Sequence, residues 1–256
     1  MSKSSAQVMS RPGRKQTAIG RSLDVYYRDK ARTAQMDALN AAFVRKGSLV
    51  FDIGAHVGDR TGSFLRLGAD VVALEPQPSV FRALRLIYGR SERVMLHQAA
   101  VGAREGDLRL QVNSANPTIS TASSELIAAA RTAEEWQGQV WDDTIEVPMT
   151  TLDALIDRHG LPDFVKIDVE GYELEVLNGL STSLPALSFE FTIIQRDLAY
   201  ACLSRLDTLA TYQFNFSLGE EHCMALPDWV DGEELKADLA RLPMSANSGD
   251  VFARRT

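Results

Sequence analysis

Short apolar runs and amphipathic segments alternate along this chain from about residue 48 to its end. The apolar runs predict buried strands at 48–53, 70–75, 93–97, 164–169, 187–192, 212–217 and 250–253. Apolar residues at helical spacing predict helices between them, at 58–67, 78–87, 151–158, 172–179, 198–209 and 231–241. Such alternation predicts an α/β fold with a mostly parallel sheet and helices on both faces.

The alternation of apolar runs and amphipathic segments is interrupted between residues 103 and 148. Residues 107–112 alternate between apolar and polar, which is typical of a half-exposed strand, and residues 113–124 are polar and rich in turn formers. A helix at 125–135 and a strand at 144–148 are predicted to follow. We interpret 103–148 as an insertion beside the active-site edge of the sheet.

The chain ahead of the first strand divides into two parts. Residues 1–21 are polar and predict a flexible tail. Residues 22–45 carry apolar positions near helical spacing and predict an N-terminal helical segment packed on the core. The predicted organisation is therefore a tail followed by one domain over 22–256.

The first strand leads into the most informative motif. The apolar run Leu49 to Phe51 ends in Asp52, and two glycines, Gly54 and Gly58, precede an amphipathic segment. A strand, a glycine-containing turn and a helix in this order are typical of nucleotide-binding α/β units. The glycines allow a sharp turn and a close approach to a ligand.

The spacing of the motif separates two classes of cofactor. A dinucleotide fingerprint needs glycines where this chain has His56 and Asp59, and a bulky or acidic residue there opposes a pyrophosphate. The acid Asp52 ahead of the first glycine suits a cationic amine, such as that of S-adenosylmethionine (SAM). SAM is the predicted cofactor; a nicotinamide or flavin nucleotide, or a degenerate fold without cofactor, remains as an alternative.

Glu75 ends the second predicted strand. An acid about 20 residues beyond the first glycine binds ribose hydroxyls in such folds. The alternative is an ordinary acid at a strand end beside the turn that begins with Pro76. Glu75 supports an adenosine-containing cofactor without separating SAM from NAD.

Composition excludes several classes of function. Of 256 residues 45% are hydrophobic and 24% are charged, which is ordinary for a globular protein, and the net charge of −7 argues against tight nonspecific binding to nucleic acid. The cysteines Cys202 and Cys223 have no metal-binding spacing and are expected to be free thiols. No apolar run approaches the roughly 20 residues of a membrane-spanning helix, and no secretory signal is recognisable, so a cytoplasmic location without membrane association is expected.

The combined landmarks resemble the FkbM family of SAM-dependent methyltransferases. Five stretches carry the resemblance: Phe51 to Thr61 (FDIGAHVGDRT), Ala73 to Gln77 (ALEPQ), Ala99 to Gly102 (AAVG), Thr151 to Leu155 with Val165 to Gly171 (TLDAL, VKIDVEG), and Ser188 to Phe191 (SFEF). The resemblance extends from about residue 22 to the end and includes Ala246 to Asp250 (ANSGD). The family often has Asn where this chain has His56.

The resemblance implies a class I methyltransferase fold, Rossmann-like, with a seven-stranded sheet whose last strand is antiparallel. It also implies transfer of a methyl group from SAM, with S-adenosylhomocysteine as product, to a hydroxyl of a sugar, glycan or small metabolite. The implied cofactor-binding residues are Asp52, Gly54, Ala55, His56, Val57, Gly58 and Thr61 at the methionine end, Glu75 at the ribose, Pro76, Gln77, Gln98 and Ala99 near the adenine, and Asp168 near the methyl group.

Removal of the hydroxyl proton requires a base, and four candidates follow from the motifs. Asp168 is favoured because it ends a core strand at the crevice edge of the sheet; the others are His56, Glu170 and Glu190. Asp168 could instead hydrogen-bond the methionine amine or a loop amide, and His56 could be a turn residue that points at the substrate. Glu170 could instead be an acid at a helix N-terminus. Glu190 lies within an apolar strand and needs a partner, for which Lys166 is the hypothesis. No compact set of ligands is visible in the sequence, so no metal is predicted.

Two alternatives to an O-methyltransferase stay open: a nicotinamide-dependent Rossmann oxidoreductase and a non-catalytic binding module with the SAM fold. Methylation of nucleic-acid bases is disfavoured, because the sequence after the fourth core strand reads Asp-Val-Glu-Gly from Asp168. The polar loop 113–124 and the aromatic residues Trp136, Trp141, Tyr26 and Tyr27 are candidates for a substrate lid or for ordinary packing.

Overall fold

The computed structural model describes residues 18–20, 23 and 28–256. Most of the predicted tail, and with it Tyr26 and Tyr27, lies outside the described residues. The helices are α1 (Lys30–Asn40), α2 (Asp59–Arg66), α3 (Pro78–Tyr88), α4 (Ser124–Ala130), α5 (Leu152–His159), α6 (Glu173–Asn178), α7 (Arg196–Asp207) and α8 (Gly232–Arg241). The strands are β1 (Leu49–Ile53), β2 (Asp70–Leu74), β3 (Val94–His97), β4 (Ala100–Val101), β5 (Gly106–Val112), β6 (Asp143–Thr150), β7 (Phe164–Ile167), β8 (Ala186–Thr192), β9 (Tyr212–Leu218) and β10 (Ser248–Arg255).

Seven strands form the central sheet, in the order β3-β2-β1-β7-β8-β10-β9. The neighbours from β3 to β8 are parallel, whereas β10 runs antiparallel to both β8 and β9. The predicted α/β fold, with an antiparallel last strand, is thereby confirmed. Chain order reverses between β1 and β7, and in open sheets a crevice forms at such a point, beyond the carboxyl ends of the strands.

Both faces of this sheet are buried. Val50 and Phe51 in β1 point to opposite faces, and neither side chain is exposed to solvent. Val71 and Val72 in β2 repeat this arrangement. Helices therefore cover both faces, which explains why the core strands are continuous apolar runs rather than alternating ones.

The inserted segment builds a second, three-stranded sheet in the order β4-β6-β5. The short strand β4 was not predicted, because two residues carry no periodicity. The observed helix α4 is shorter than the helix predicted at 125–135, because it ends at Ala130 and a separate 3₁₀ turn follows at Glu134–Trp136. The rings of Trp136 and Trp141 stack with centroids 6.4 Å apart, and the Trp141 indole donates to the carbonyl of Ile119. These two aromatic side chains pack within the inserted segment.

Helix α1 docks on α2. Asp29 caps α1 through the backbone N–H groups of Ala31 and Arg32. The Asn40 amide donates to the Ser63 hydroxyl over 2.9 Å within this buried contact. In the described part of the chain, no helix combines the length and the apolar character needed to cross a membrane.

Candidate active site

A cleft of about 960 Å³, partly open to solvent, lies beyond the carboxyl ends of β1, β2 and β7. One wall comes from the central sheet and the other from the inserted segment. The predicted site residues that line it are Asp52, Gly54, Ala55, His56, Glu75, Pro76, Gln77, Ala99, Asp168 and Glu170.

Gly54 begins the turn after β1, and the chain at the end of β7 leaves no room for a side chain at this position. Its φ is +81°, and a Cβ atom placed there would lie 1.8 Å from the carbonyl oxygen of Asp168. The backbone N–H of Asp168 in turn donates to the carbonyl of Ile53 over 2.9 Å. Glycine thus lets the ends of β1 and β7 meet side by side and brings Asp52 and Asp168 to one cleft.

Asp52 lies at the base of the cleft, with 1% of its surface exposed. The Thr61 hydroxyl at the start of α2 donates to its carboxylate. Burial raises the pKa of Asp52 to about 6, although the Thr61 hydrogen bond and the charge of Lys166 act in the opposite direction. A cationic ligand in the cleft would favour the ionised form of this carboxyl group.

Glu75 follows β2 and is also buried. One of its carboxylate oxygens accepts the backbone N–H of Gln77 at 2.8 Å, and the other accepts that of His56 at 3.1 Å. Burial raises the pKa of Glu75 to about 7, while these two backbone hydrogen bonds lower it. A carboxylate oxygen accepts more than one hydrogen bond, so both oxygens retain capacity for ligand hydroxyls.

Gln77 links the cofactor side of the cleft to the inserted segment. Its amide nitrogen donates to the carbonyl of Pro117 over 3.0 Å, and its amide oxygen accepts the Ser120 hydroxyl at 3.0 Å. Both polar groups of the side chain therefore have protein partners. Gln77 fixes the position of the cleft's second wall.

Lys166 has a different partner from the one the sequence suggested. Its ammonium group donates to Asp250 over 2.6 Å and to Asp168 over 3.2 Å, and no hydrogen bond to Glu190 is present among the described residues. The Lys166–Glu190 hypothesis is wrong in this respect. The strand register places Asp250 on β10 directly beside Glu190 on β8. The Lys166 ammonium binds the carboxylate of Asp250 instead of that of Glu190. Burial lowers the pKa of Lys166, but the charges of Asp168 and Asp250 outweigh it and raise the pKa overall.

Three carboxylates converge at the ends of β7 and β8. Within the set Asp168, Glu170 and Glu190, ligand oxygens lie within 4.8 Å of one another. No compact set of acids is visible in the sequence, because Glu190 is distant from the other two along the chain. Burial, together with the charge of Asp168, raises the pKa of Glu170 well above its ordinary value, and burial with the charges of Glu170 and Asp168 does the same for Glu190.

The loop that holds Asp168 and Glu170 is fixed by an acid that the sequence reading missed. Glu173 in α6 is buried, and its carboxylate accepts the backbone N–H groups of Val169 and Gly171, each over 3.2 Å. Glu170 itself has a φ of +55° and is 7% exposed. Its conformation is therefore set by the loop around it.

His56 lies in the turn after β1 and faces the cleft. Its φ is +50°, within the left-handed region. Burial lowers the pKa of His56 to about 4, so the imidazole is neutral at pH near 7. A neutral ring can accept a proton, but with this pKa it is a weak base.

Five predicted residues do not line the cleft. Val57 and Thr61 are fully buried behind it, and the Gln98 side chain is exposed to solvent. Gly58 packs against α3, where an added Cβ would lie 2.3 Å from the ring of Tyr88. Glu190 lines a smaller cavity on the other side of the loop through Gly171.

Other lining residues were not predicted. Those of the inserted segment lie outside any recognisable motif, and the rest lie within the motifs or in other segments but were not singled out. The inserted segment contributes Leu108, Leu110, Thr118, Ser120 and Ala122, and the rest are Ile53, Asp59, Arg60, Ala100, Val101, Lys166, Val169, Tyr172 and Glu220. Arg60 donates to Asp59 over 3.0 Å and to Glu220 over 3.3 Å. Burial opposes ionisation of Glu220, but a hydrogen bond from His222 and the charges of Arg60 and Arg32 lower its pKa overall. The rim of the cleft thus carries an ion-pair network.

A family model described as the methyltransferase FkbM domain matches residues 52–204. The chain belongs to this family. The match begins at Asp52 and includes the first wall of the cleft, the inserted segment and the loop from Asp168 to Gly171. The sequence resemblance to the FkbM family is confirmed.

One relative of this FkbM-family chain is the hexuronic acid methyltransferase AglP of Haloferax volcanii. The two are 27% identical over 143 residues, which are 55% of this chain and 53% of the relative. The chain spans about half the length of the curated relative it matches.

Solved structures of several methyltransferases are similar to the FkbM-family fold described here. One is the O-methyltransferase from Bacillus cereus in complex with S-adenosylhomocysteine, with 10% identity, a TM-score of 0.46, and coverage of 97% of this chain and 93% of that one. Another is the precorrin-6y C5,15-methyltransferase from Geobacter metallireducens, with 12% identity, a TM-score of 0.46, and coverage of 90% of each chain. A TehB-like SAM-dependent methyltransferase from Corynebacterium glutamicum is 10% identical, with a TM-score of 0.47 and coverage of 92% and 94%.

Proposed function

We propose that this chain is a SAM-dependent O-methyltransferase that acts on a hydroxyl of a sugar, a glycan or a similar small metabolite. The observation that carries the proposal is the convergence of Asp52, Glu75 and Asp168 on one cleft in a chain of the FkbM family. These acids follow three neighbouring parallel strands, where α/β folds bind their ligands.

The residues of the cleft fit this cofactor. Glu75 offers two carboxylate oxygens with remaining acceptor capacity to the hydroxyls of a ribose. Asp52 and Asp168 offer negative charge where the cationic methionine part would lie. When bound, SAM supplies a methyl group on a sulfonium, which is already a good leaving group.

The chain itself then has to hold the acceptor and take its proton. Alignment of two bound reactants can contribute roughly 7–11 kcal/mol to lowering a barrier. Asp168 is our choice for the proton acceptor, since its side chain is 34% exposed at the cleft while that of Lys166 beside it is 4% exposed. His56 has too low a pKa to compete as a base.

The two walls indicate the kind of acceptor. Leu108, Leu110 and Ala122 on the inserted segment offer apolar contact opposite the acids of the sheet edge. Concentrated negative charge repels an anionic group near the methyl, so a neutral hydroxyl oxygen is the expected nucleophile. A hexuronic acid, named for the relative, carries hydroxyls as well as a carboxylate, and sugars of this kind are the first acceptors to test.

The first experiment is isothermal titration of the full chain with S-adenosylhomocysteine, with NAD⁺ and NADP⁺ as controls. Binding of S-adenosylhomocysteine alone supports the proposal and opens a search for the acceptor by transfer of labelled methyl groups to sugars. Binding of only a nicotinamide nucleotide would favour the oxidoreductase, although His56 and Asp59 replace the glycines that a dinucleotide fingerprint needs. Binding without any methyl transfer to a broad set of hydroxyl compounds would favour a non-catalytic module.

A further inference from the structure

Three acids form a row across three neighbouring strands of the central sheet. Glu190 on β8 pairs with Asp250 on β10, and the β7–β8 register, one step beyond Ile167 and Phe189, brings Asp168 level with Glu190. Like charges on directly opposing strand positions destabilise a sheet unless something neutralises them. The row therefore requires compensation.

The hydrogen bonds of Lys166 go to the two ends of this row. Its ammonium contacts Asp250 at 2.6 Å and Asp168 at 3.2 Å. Glu190, between them, receives none of its hydrogen bonds, and one of its carboxylate oxygens (Oε2) is buried without a partner among the described residues. A buried carboxylate in this condition costs free energy unless a proton or a cation joins it.

Glu170 brings a second uncompensated carboxylate to the same place. Only 7% of the Glu170 surface is exposed, and no described residue donates a hydrogen bond to its carboxylate. One of its oxygens lies within 4.8 Å of oxygens from both Asp168 and Glu190. The buried amide oxygen of Gln195, also without a partner, lines the same small cavity as Glu190. Apart from the Lys166 ammonium, which contacts Asp168, the groups that meet here are acceptors, and such a concentration of acceptors attracts a cation.

We propose that Asp168, Glu170 and Glu190 bind one divalent cation of the Mg²⁺ or Mn²⁺ type. An Mg²⁺ ion lies roughly 2.1 Å from each ligand oxygen, so two of its ligands are at most about 4.2 Å apart. The oxygens here lie within 4.8 Å of one another, so small side-chain adjustments are enough for all three to reach one ion. Hard divalent cations prefer carboxylate oxygens, whereas the absence of sulfur and imidazole from the set argues against zinc.

The proposed ion deepens the proposed function and rests on it, because Asp168 and Glu170 also line the cleft where methyl transfer is placed. A cation there would bind an oxygen of the acceptor and lower the pKa of its hydroxyl group. It would also neutralise the acids that otherwise repel one another.

The test is titration of this 256-residue chain with Mn²⁺, with the free ion followed by electron paramagnetic resonance. The variants are Glu190→Gln and Glu170→Gln, which keep the shape of each side chain. The control is Glu175→Gln, because Glu175 lies nearby in α6, accepts a hydrogen bond from the Asn178 amide over 3.2 Å and is outside the cluster. Titration of every protein with S-adenosylhomocysteine establishes that the cleft is intact.

The expected result is one Mn²⁺ per chain in the wild type and in Glu175→Gln, with affinity at least about tenfold lower in both cluster variants. Mg²⁺ should also raise the melting temperature of the wild type and not that of Glu190→Gln. If the wild type binds S-adenosylhomocysteine but holds no more Mn²⁺ than Glu190→Gln does, the two glutamates share protons and the metal site is overturned. A wild type that binds Mn²⁺ but no S-adenosylhomocysteine would support the metal site and count against the proposed function.

Discussion

Gly54 and the carbonyl oxygen of Asp168 approach so closely that a Cβ on Gly54 would lie 1.8 Å from that oxygen. Gly47 has nearly the same backbone conformation, with φ of +83°, but nothing lies within 4 Å of its would-be Cβ. An alanine at Gly47 would therefore experience only backbone strain, whereas an alanine at Gly54 would experience the same strain and a steric clash as well.

Gly47→Ala should cost about 1–2 kcal/mol of unfolding free energy, the penalty of a left-handed backbone for a residue with a side chain. Gly54→Ala should cost at least about 2 kcal/mol more, because the ends of β1 and β7 must also move apart. Urea denaturation of both variants measures the difference. Equal losses would mean that the strand ends adjust without strain and that the contact does not require glycine.

Glu75→Gln should weaken binding of S-adenosylhomocysteine by about 10–100-fold, the range for hydrogen bonds to a charged group. Asp70→Asn is the matched control, because Asp70 is exposed at the opposite end of β2. Calorimetric titration compares them. Unchanged affinity in Glu75→Gln would exclude Glu75 from the ribose site.

Glu75 should also leave a signature in the pH dependence of stability. Its pKa is about 7 in the folded protein and near 4.5 ordinarily, so the folded state binds more protons between these values. Stability from this group is present below about pH 4.5 and is lost as pH rises through about 7. The stability of Glu75→Gln relative to wild type should therefore improve between about pH 5 and pH 8. Any pH-independent effect of the amide on stability cancels when the difference between Glu75→Gln and wild type is compared at two pH values. Thermal melts at low ionic strength measure this difference.

Lys166→Met should cost about 3–5 kcal/mol, because it leaves Asp250 and Asp168 without their shared cation in a buried site. Asp250→Asn should cost less, since Lys166 keeps its contact with Asp168 at 3.2 Å. Chemical denaturation at neutral pH ranks the two. A larger loss in Asp250→Asn would contradict the role given to Lys166 as the common partner.

Gln77→Ala should loosen the inserted segment, because Pro117 and Ser120 both lose a hydrogen-bond partner. We expect faster amide hydrogen exchange across 113–121 and affinity for S-adenosylhomocysteine lower by about 2–10-fold, the worth of a neutral hydrogen bond or two. Gln98→Ala is the control, because Gln98 is exposed outside the cleft. Exchange that stays at wild-type rates in Gln77→Ala would show that the wall is held by other contacts.

Much of the fold could be predicted from sequence because its signals are local. The apolar run at Leu49 to Phe51, the glycine turn and the following helix each depend on neighbours in the chain. Strand β4 and the shortened helix α4 could not be predicted, since their limits depend on pairing with β6 and packing of Trp136 against Trp141.

The sequence by itself determined the strand ends on which Asp52, Glu75 and Asp168 stand, because parallel strands deliver their carboxyl ends to one edge. Only the tertiary structure decided how side chains pair across that edge. Lys166 and Asp250 are 84 positions apart, and their contact follows from the register of β10 on β8. The register of β7 on β8 brings Glu190 beside Asp168, close to Glu170. Such long-range pairings depend on packing and strand register, which local sequence patterns do not encode.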